Sequence, residues 1–204
     1  LTTICLDISH RNLLYYVKQL DNNMLIVIDN FLDTNSDLYR EITEDEYWGK
    51  FKSFRGWLER DATPDDIWGV LSNRIWKFAS ELLPSEFEGI EYWGGEIHPG
   101  EGLDWHNDDD QSLYDKTGES SFPEIGSIYY AHKTPISEGF LEIQREYDDV
   151  FNIGGMERIQ PVPNRLVIFD SKVFHRVSPV VEGVRRHFTT NIWKKKPIEE
   201  NFIK

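Results

Sequence analysis

Apolar residues recur along the chain with two different periods. Met24-Leu-Ile-Val-Ile28 is a continuous β-rich run closed by Asp29-Asn30, the pattern of a buried strand. Asp33 to Trp48 has mixed helical character and is rich in acids. The clearest helix is predicted from Thr63 to about Leu83. Thr63 can cap it, Pro64 suits the first helical position, and Asp65 and Asp66 complement the positive helix end. Ile67, Val70, Leu71, Phe78, Ala79 and Leu82 then recur at helical spacing, and Pro84 stops the run. From Gly89 onward the texture changes to short β-type segments. Glu91 to His98, Gly126 to His132, Gly139 to Arg145, Arg165 to Phe169 and Arg185 to Trp193 all read as strands. Many short strands in one stretch predict a sandwich, barrel or jelly roll, mainly β with flanking helices. Between the first two strands runs a long polar connection, Asn107 to Ile125, of the kind that is usually functional or disordered.

Composition narrows this picture without changing it. A chain of 204 residues suits a single domain, and 39% hydrophobic with 14% aromatic residues fits a packed core. No stretch approaches the roughly 18 to 20 uncharged apolar residues of a membrane span, so no membrane partner is expected. Cys5 is the only cysteine, which forbids an intramolecular disulfide and favours a reducing, cytoplasmic setting. A net charge of −14 repels phosphate backbones and argues against nucleic acid as a partner. The one basic run, Lys194-Lys195-Lys196, reads as a solvated strand end.

Candidate chemistry begins at the histidines. Of His10, His98, His106, His132, His175 and His187, only His106 has an acid two places on, in His106-Asn107-Asp108. Alone that motif is weak, and an ordinary surface histidine in an acidic loop explains it as well. The signal strengthens with Phe169-Asp170-Ser171, Phe174-His175-Arg176-Val177-Ser178-Pro179-Val180 and Gly183-Val184-Arg185. Two histidines and a carboxylate form the facial triad of non-heme iron oxygenases, which leaves other coordination positions open. In an extended segment residues two apart share a face, so His106 and Asp108 can address one metal, and His175 must come from a strand folded alongside. Asp109 and Asp110 lack that shared-face offset. His10, His132 and His187 read as structural or surface residues, and Trp48, Trp57, Trp68 and Trp76 as packing aromatics.

Residues 89 to 195 resemble the prolyl 4-hydroxylase-type branch of the 2-oxoglutarate and Fe(II) oxygenase superfamily. The resemblance rests on Pro99-Gly100-Glu101-Gly102-Leu103-Asp104-Trp105-His106-Asn107-Asp108, Ser127-Ile128-Tyr129-Tyr130, Glu138-Gly139-Phe140-Leu141-Glu142-Ile143, and His175 with Arg185 ten positions on. Where relatives often carry two adjacent glycines, this chain has Gly139 alone. The resemblance implies a double-stranded β-helix (a jelly roll), with residues 1 to 88 as an N-terminal helical and strand cover. It implies iron on His106, Asp108 and His175, and 2-oxoglutarate held by Arg185. O2 is then the co-reactant, and ascorbate serves as reductant. It further implies that 2-oxoglutarate is decarboxylated to succinate and CO2 while a C–H bond of a prolyl residue, another peptidyl residue or a small molecule is hydroxylated. A non-catalytic jelly-roll binding module is the competing reading, and the complete ligand set with its arginine disfavours it. Tyr130 aligns with a family tyrosine that hydrogen-bonds 2-oxoglutarate, and Tyr129 is its rival if the register slips by one. His98 lies near where some relatives place a pocket tyrosine.

Two further expectations concern geometry. The acidic connection from Asn107 to Ile125 is expected to act as a mobile lid that favours a neutral or basic substrate. From 185 to 193, alternation puts Arg185, His187, Thr189, Asn191 and Trp193 on one face and Arg186, Phe188, Thr190 and Ile192 on the other. The polar face should line the ligand cavity, which points Arg185 inward and Arg186 away.

Overall fold

A computed structural model describes residues 15–20, 23–50, 54–82, 86–144 and 155–198. A seven-stranded antiparallel sheet dominates, in the order β1 (Tyr15–Leu20), β2 (Asn23–Ile28), β10 (Leu166–Phe169), β6 (Ile125–Tyr130), β13 (Arg185–Trp193), β4 (Gly89–Ile97) and β3 (Phe54–Glu59). Facing it is a four-stranded sheet of β5 (Leu103–His106), β11 (His175–Val177), β8 (Leu141–Gln144) and β9 (Met156–Ile159). A two-stranded ribbon of β12 (Val180–Glu182) and β7 (Ser137–Glu138) completes this double-stranded β-helix.

The large sheet is buried on both faces, and alternation sorts its side chains between two cores. Ile26, Ile28, Tyr129, Leu166, Ile168, Phe188 and Ile192 share one core with residues of α1 (Asp37–Thr43) and α3 (Ile67–Leu82). Leu25, Val27, Ile128, Tyr130, Val167 and Phe169 meet Leu141, Ile143 and Ile159 of the smaller sheet. The helix-side core is rich in rings: Trp68 stacks on Phe188 with centroids 5.2 Å apart and packs against Phe54 at 4.7 Å. A short α2 (Asp45–Lys50) follows α1 and adds the buried Trp48.

Three expectations about elements need correction. The helix predicted from Thr63 begins at Ile67, because the Asp66 carboxylate accepts the Gly69 amide at 2.6 Å and takes the cap. Its buried stripe is Trp68, Leu71, Ile75 and Ala79, while Val70 is 43% exposed. The large Trp68 ring, stacked on Phe188, sets the rotation of the helix and turns Val70 outward. Second, the connection from Asn107 to Ile125 contains a helix, α4 (Gln111–Thr117), capped by the Asp110 side chain and ended by Gly118 at φ +74°. Third, the predicted strand from Gly139 starts at Leu141, since Glu138 and Gly139 adopt φ of +62° and +68°. The predicted helix stop at Pro84 and the histidine at position 10 lie outside the described residues. No helix among the described residues is long and apolar enough to cross a membrane.

Candidate functional site

Pairing of β5 with β11 puts His106 directly opposite His175. Their ring centroids are 4.3 Å apart. Gly102 permits this approach, because a Cβ there would lie 2.6 Å from the Val177 carbonyl oxygen. Past the end of β5, the Asp108 amide donates to the Ser171 carbonyl at 3.2 Å and fixes the turn. Asp108 Oδ1 then sits 3.9 Å from the Nε2 atoms of both His106 and His175. The ligand atoms of His106, Asp108 and His175 all lie within 4.8 Å of one another.

Each imidazole is fixed from behind. His106 Nδ1 donates to the Asp104 carbonyl at 2.7 Å, and His175 Nδ1 to the Val173 carbonyl at 2.9 Å. A carbonyl can only accept, so both Nδ1 atoms carry the proton and both Nε2 lone pairs face the centre. Burial pushes the His175 pKa below its usual value, against the pull of Asp108, which keeps the ring neutral as metal ligation requires. Asn191 on β13 donates from Nδ2 to Asp108 Oδ2 at 3.1 Å and turns the other carboxylate oxygen inward. This donor set, two imidazole nitrogens and one carboxylate oxygen with oriented lone pairs, fits a first-row divalent metal.

The other end of the same β13 face holds Arg185. Arg185 is fully buried at 0% exposure, and none of its three guanidinium nitrogens has a hydrogen-bond partner. Tyr130, also at 0% exposure, lies beneath it, with the guanidinium carbon 5.0 Å from the ring centroid. The Tyr130 hydroxyl likewise makes no hydrogen bond of acceptable geometry. Burial lowers the pKa of Arg185 and raises that of Tyr130, and the attraction between the two opposes both shifts. Gly139 closes over the arginine: a Cβ there would meet Val180 Cγ2 at 2.9 Å and Arg185 Cδ at 3.3 Å. A buried arginine without an acceptor is costly, and an anionic ligand bound at this place relieves it.

The remaining candidates fall elsewhere. Arg186 points to the opposite face and binds Glu96 at 2.8 Å and Asp45 at 2.5 Å. Tyr129 belongs to the helix-side core and donates its hydroxyl to Asn164 Oδ1 at 3.0 Å. His98 is exposed, 3.8 Å from a Glu96 oxygen, and is not part of the cluster. Two contributors were not singled out from the sequence. Asn191 was placed on the polar face by alternation but given no role, and Glu91 was read only as a strand residue. Glu91 is 1% exposed, pairs with Arg55, and accepts the Trp193 indole N–H at 2.9 Å. Burial raises its pKa, and Arg55 opposes the shift. Only cross-strand pairing identifies these two, since Asn191 stands opposite Glu91 in the β13–β4 register.

Beside the His106, Asp108 and His175 cluster opens a cavity of about 600 Å3, lined by Arg55, Glu91, Trp93, Asp108, Asp109 and Asn191 among others. That volume suits one amino-acid side chain with its flanking backbone, or a small metabolite. Asp110, 3% exposed, braces the loop below it: its carboxylate accepts Leu113 N at 3.0 Å and Ile198 N at 2.8 Å.

Residues 89–193 match the family model described as the 2OG-Fe(II) oxygenase superfamily. No curated protein sequence matches the chain. Among solved structures, a Pseudomonas putida prolyl-4-hydroxylase is similar with a TM-score of 0.60 at 17% identity, over 87% of this chain and 91% of that one. HygX from Streptomyces hygroscopicus, with nickel and 2-oxoglutarate bound, gives 0.58 at 12% identity, over 84% and 82%. A Trichoplax adhaerens prolyl hydroxylase in complex with a hypoxia inducible factor peptide fragment gives 0.58 at 16% identity, over 86% of each chain. At these identities the similarity establishes the fold.

Proposed function

Because this chain belongs to the 2OG-Fe(II) oxygenase superfamily, we propose that it is an Fe(II)- and 2-oxoglutarate-dependent dioxygenase with iron held by His106, Asp108 and His175. Arg185 and Tyr130 take the distal carboxylate of 2-oxoglutarate. The proposed domain is one unit, residues 89 to 195 forming the catalytic jelly roll and 1 to 88 its cover. One observation carries the reading: the fully buried, unpartnered Arg185 guanidinium lies on the same face of β13 as Asn191, which orients Asp108.

When bound, iron, 2-oxoglutarate and O2 supply the oxidising power that turns a C–H bond into C–OH, with succinate and CO2 released. The residues of the chain bind, orient and exclude. The backbone-anchored imidazoles present fixed Nε2 donors, and Asn191 holds one Asp108 oxygen so that the other would be left to hold the metal. Arg185 offers a carboxylate its planar fork in a place sealed from water by Gly139, Val180 and Tyr130. The substrate C–H then approaches through the cavity lined by Trp93 and Asn191. The substrate proposed is a prolyl or other peptidyl residue, in keeping with the peptide held by the similar Trichoplax prolyl hydroxylase. The cavity volume also accommodates a small molecule, the second reading. A reducing, cytoplasmic setting is part of the proposal and rests on the single cysteine.

The test is succinate formation from 2-oxoglutarate, dependent on Fe(II) and O2, followed by mass spectrometry for the gain of one oxygen on candidate peptides and metabolites. Absence of Fe(II)-dependent succinate with every class of candidate would refute the enzymatic reading in favour of a binding module.

A further inference from the structure

The polar groups that line the cavity beside the His106, Asp108 and His175 cluster are not equally satisfied. The Arg55 guanidinium is bound to the Glu91 carboxylate, which also accepts the Trp193 indole N–H. Asn191 donates its amide to Asp108, and its Oδ1 is a buried acceptor without a donor in a side chain only 1% exposed. Of three consecutive acids, Asp108 belongs to the metal cluster, and Asp110 takes the amides of Leu113 and Ile198. Asp109 lies between them, half-buried in the cavity lining. The charges that act on it, Asp110, Asp108 and Asp115, all share its sign, and no cation among the described residues pairs with it. The remaining acids of the same connection have partners or face solvent: Asp115 accepts from Gln111, Glu124 pairs with Lys194, and Glu119 is exposed. Phe54, Trp93 and Trp193 supply apolar wall. The donors Arg55, Trp193 and Asn191 are engaged within the protein, while the unmet groups of the lining are acceptors. A complementary ligand brings donors.

We propose that Asp109 is a specificity-determining residue that receives a cationic group of the substrate, an ammonium or guanidinium, while the aliphatic stem behind it lies against Trp93 and Phe54. This rests on the oxygenase reading and names a substrate class for it. The acidic connection as a whole favours a neutral or basic substrate, and the partners of its other acids narrow that preference to one carboxylate. Arg55 does not turn the cavity into an anion site, because Glu91, 1% exposed, already neutralises it. Loading leaves Asp109 unanswered. The two charges of a divalent ion are balanced by Asp108 and one carboxylate of 2-oxoglutarate, and Arg185 balances the other. An anionic side chain would therefore enter a cavity whose one uncompensated charge repels it. A long aliphatic cation fits both parts of the lining: its methylenes cover the aromatic wall and its head stays at a half-buried, partly wet acid. Such a head meets its counter-ion without the full desolvation that makes deeply buried pairs unprofitable.

The experiment measures binding by calorimetry, without O2, to the full chain loaded with Mn(II) and 2-oxoglutarate. The probes are end-blocked Gly-Lys-Gly and the same peptide with norleucine, which keeps the stem and lacks the ammonium, or with glutamate. The unmutated chain should bind the lysyl peptide about five- to tenfold more tightly than the norleucyl one, the range for a partly solvated charge pair. The glutamyl peptide should bind most weakly. A small-molecule arm compares n-pentylamine with 1-pentanol. A preference confined to the peptides assigns the cation to a side chain, and one confined to the amine assigns it to a metabolite. Asp109→Asn should level the lysyl and norleucyl peptides while Mn(II) and 2-oxoglutarate affinities stay unchanged, and Asp109→Lys should favour the glutamyl peptide. Equal affinity for charged and neutral probes on the unmutated chain, or no binding of any cation, overturns the proposal without recourse to a variant. A preference that survives in Asp109→Asn also overturns it, as does one lost together with Mn(II) affinity, since the residue would then act through Asp108. Binding of 2-oxoglutarate to the Mn(II)-loaded chain is measured first. Failure there removes the oxygenase reading, whereas intact co-substrate binding without a cation preference removes this inference alone.

Discussion

The two faces of β13 obey opposite rules, although their residues alternate along one strand. On the helix side, Phe188 and Ile192 are buried against Trp68 and its neighbours, and Arg186 is satisfied by two carboxylates. On the other side, Arg185, His187 and Asn191 each keep at least one buried polar atom without a partner. A closed face of satisfied groups is structure, while an interior face of unsatisfied ones is a site whose energetics close only with a ligand. The contrast is sharpest between Arg185 and Arg186, identical in chemistry and adjacent in sequence.

Mutations can break or sharpen that contrast. The largest effect is expected at the metal end: His175→Ala should abolish Fe(II)-dependent succinate formation and weaken metal binding by tenfold or more. Equilibrium dialysis with Fe(II) checks it, and unchanged metal stoichiometry would remove His175 from the ligand set. Phe188→Ala, on the structural face, should lower stability by roughly 3 to 5 kcal/mol in urea unfolding. The folded fraction should still bind 2-oxoglutarate, and if binding fell more than stability the two faces would not be separable. Arg185→Ala should raise the dissociation constant for 2-oxoglutarate about 10- to 150-fold, the range for a charge-assisted pair worth about 1.5 to 3 kcal/mol. Metal affinity should stay unchanged. Smallest of all, Arg186→Ala should leave that constant alone and change stability by about 1 kcal/mol, since Asp45 is a solvated surface acid and Glu96, the other partner, keeps some access to water. If Arg185→Ala and Arg186→Ala exchanged phenotypes, the β13 register would be wrong by one residue.

The features legible in the sequence were those fixed by local periodicity or spacing. Alternation along residues 185 to 193 placed Arg185 and Arg186 on opposite faces, and the observed register of β13 agrees. His106 and His175 stood out by type and context. The short strands β7, β9 and β12 escaped detection because their conformation is imposed by pairing with distant partners and not by local propensity. The start of α3 was misread because four consecutive residues, Thr63 to Asp66, all carry start signals, and only Asp66 takes the cap. The helix α4 was hidden by its polar sequence, which buries none of its residues and so has no apolar stripe. Asn191 and His187 could be placed on a face but not given a purpose. Their surroundings are set by what stands across the strand: Glu91 and Gly95 in β4, Tyr130 in β6, and Asp108 beyond.

The double duty of the Asp110 carboxylate has a practical consequence for anyone engineering this domain. One oxygen starts α4, and the other is tied to the backbone of Ile198, beyond the last strand. Asp110 is two residues from Asp108, so the segment after β13 acts as a tether on the metal-binding loop. A fusion joint or truncation placed just after Trp193 would cut that tether while leaving every strand of the jelly roll intact. Such a protein would keep its circular dichroism and lose metal affinity, a defect easily mistaken for poor metal loading during purification. Fusion partners belong beyond residue 198.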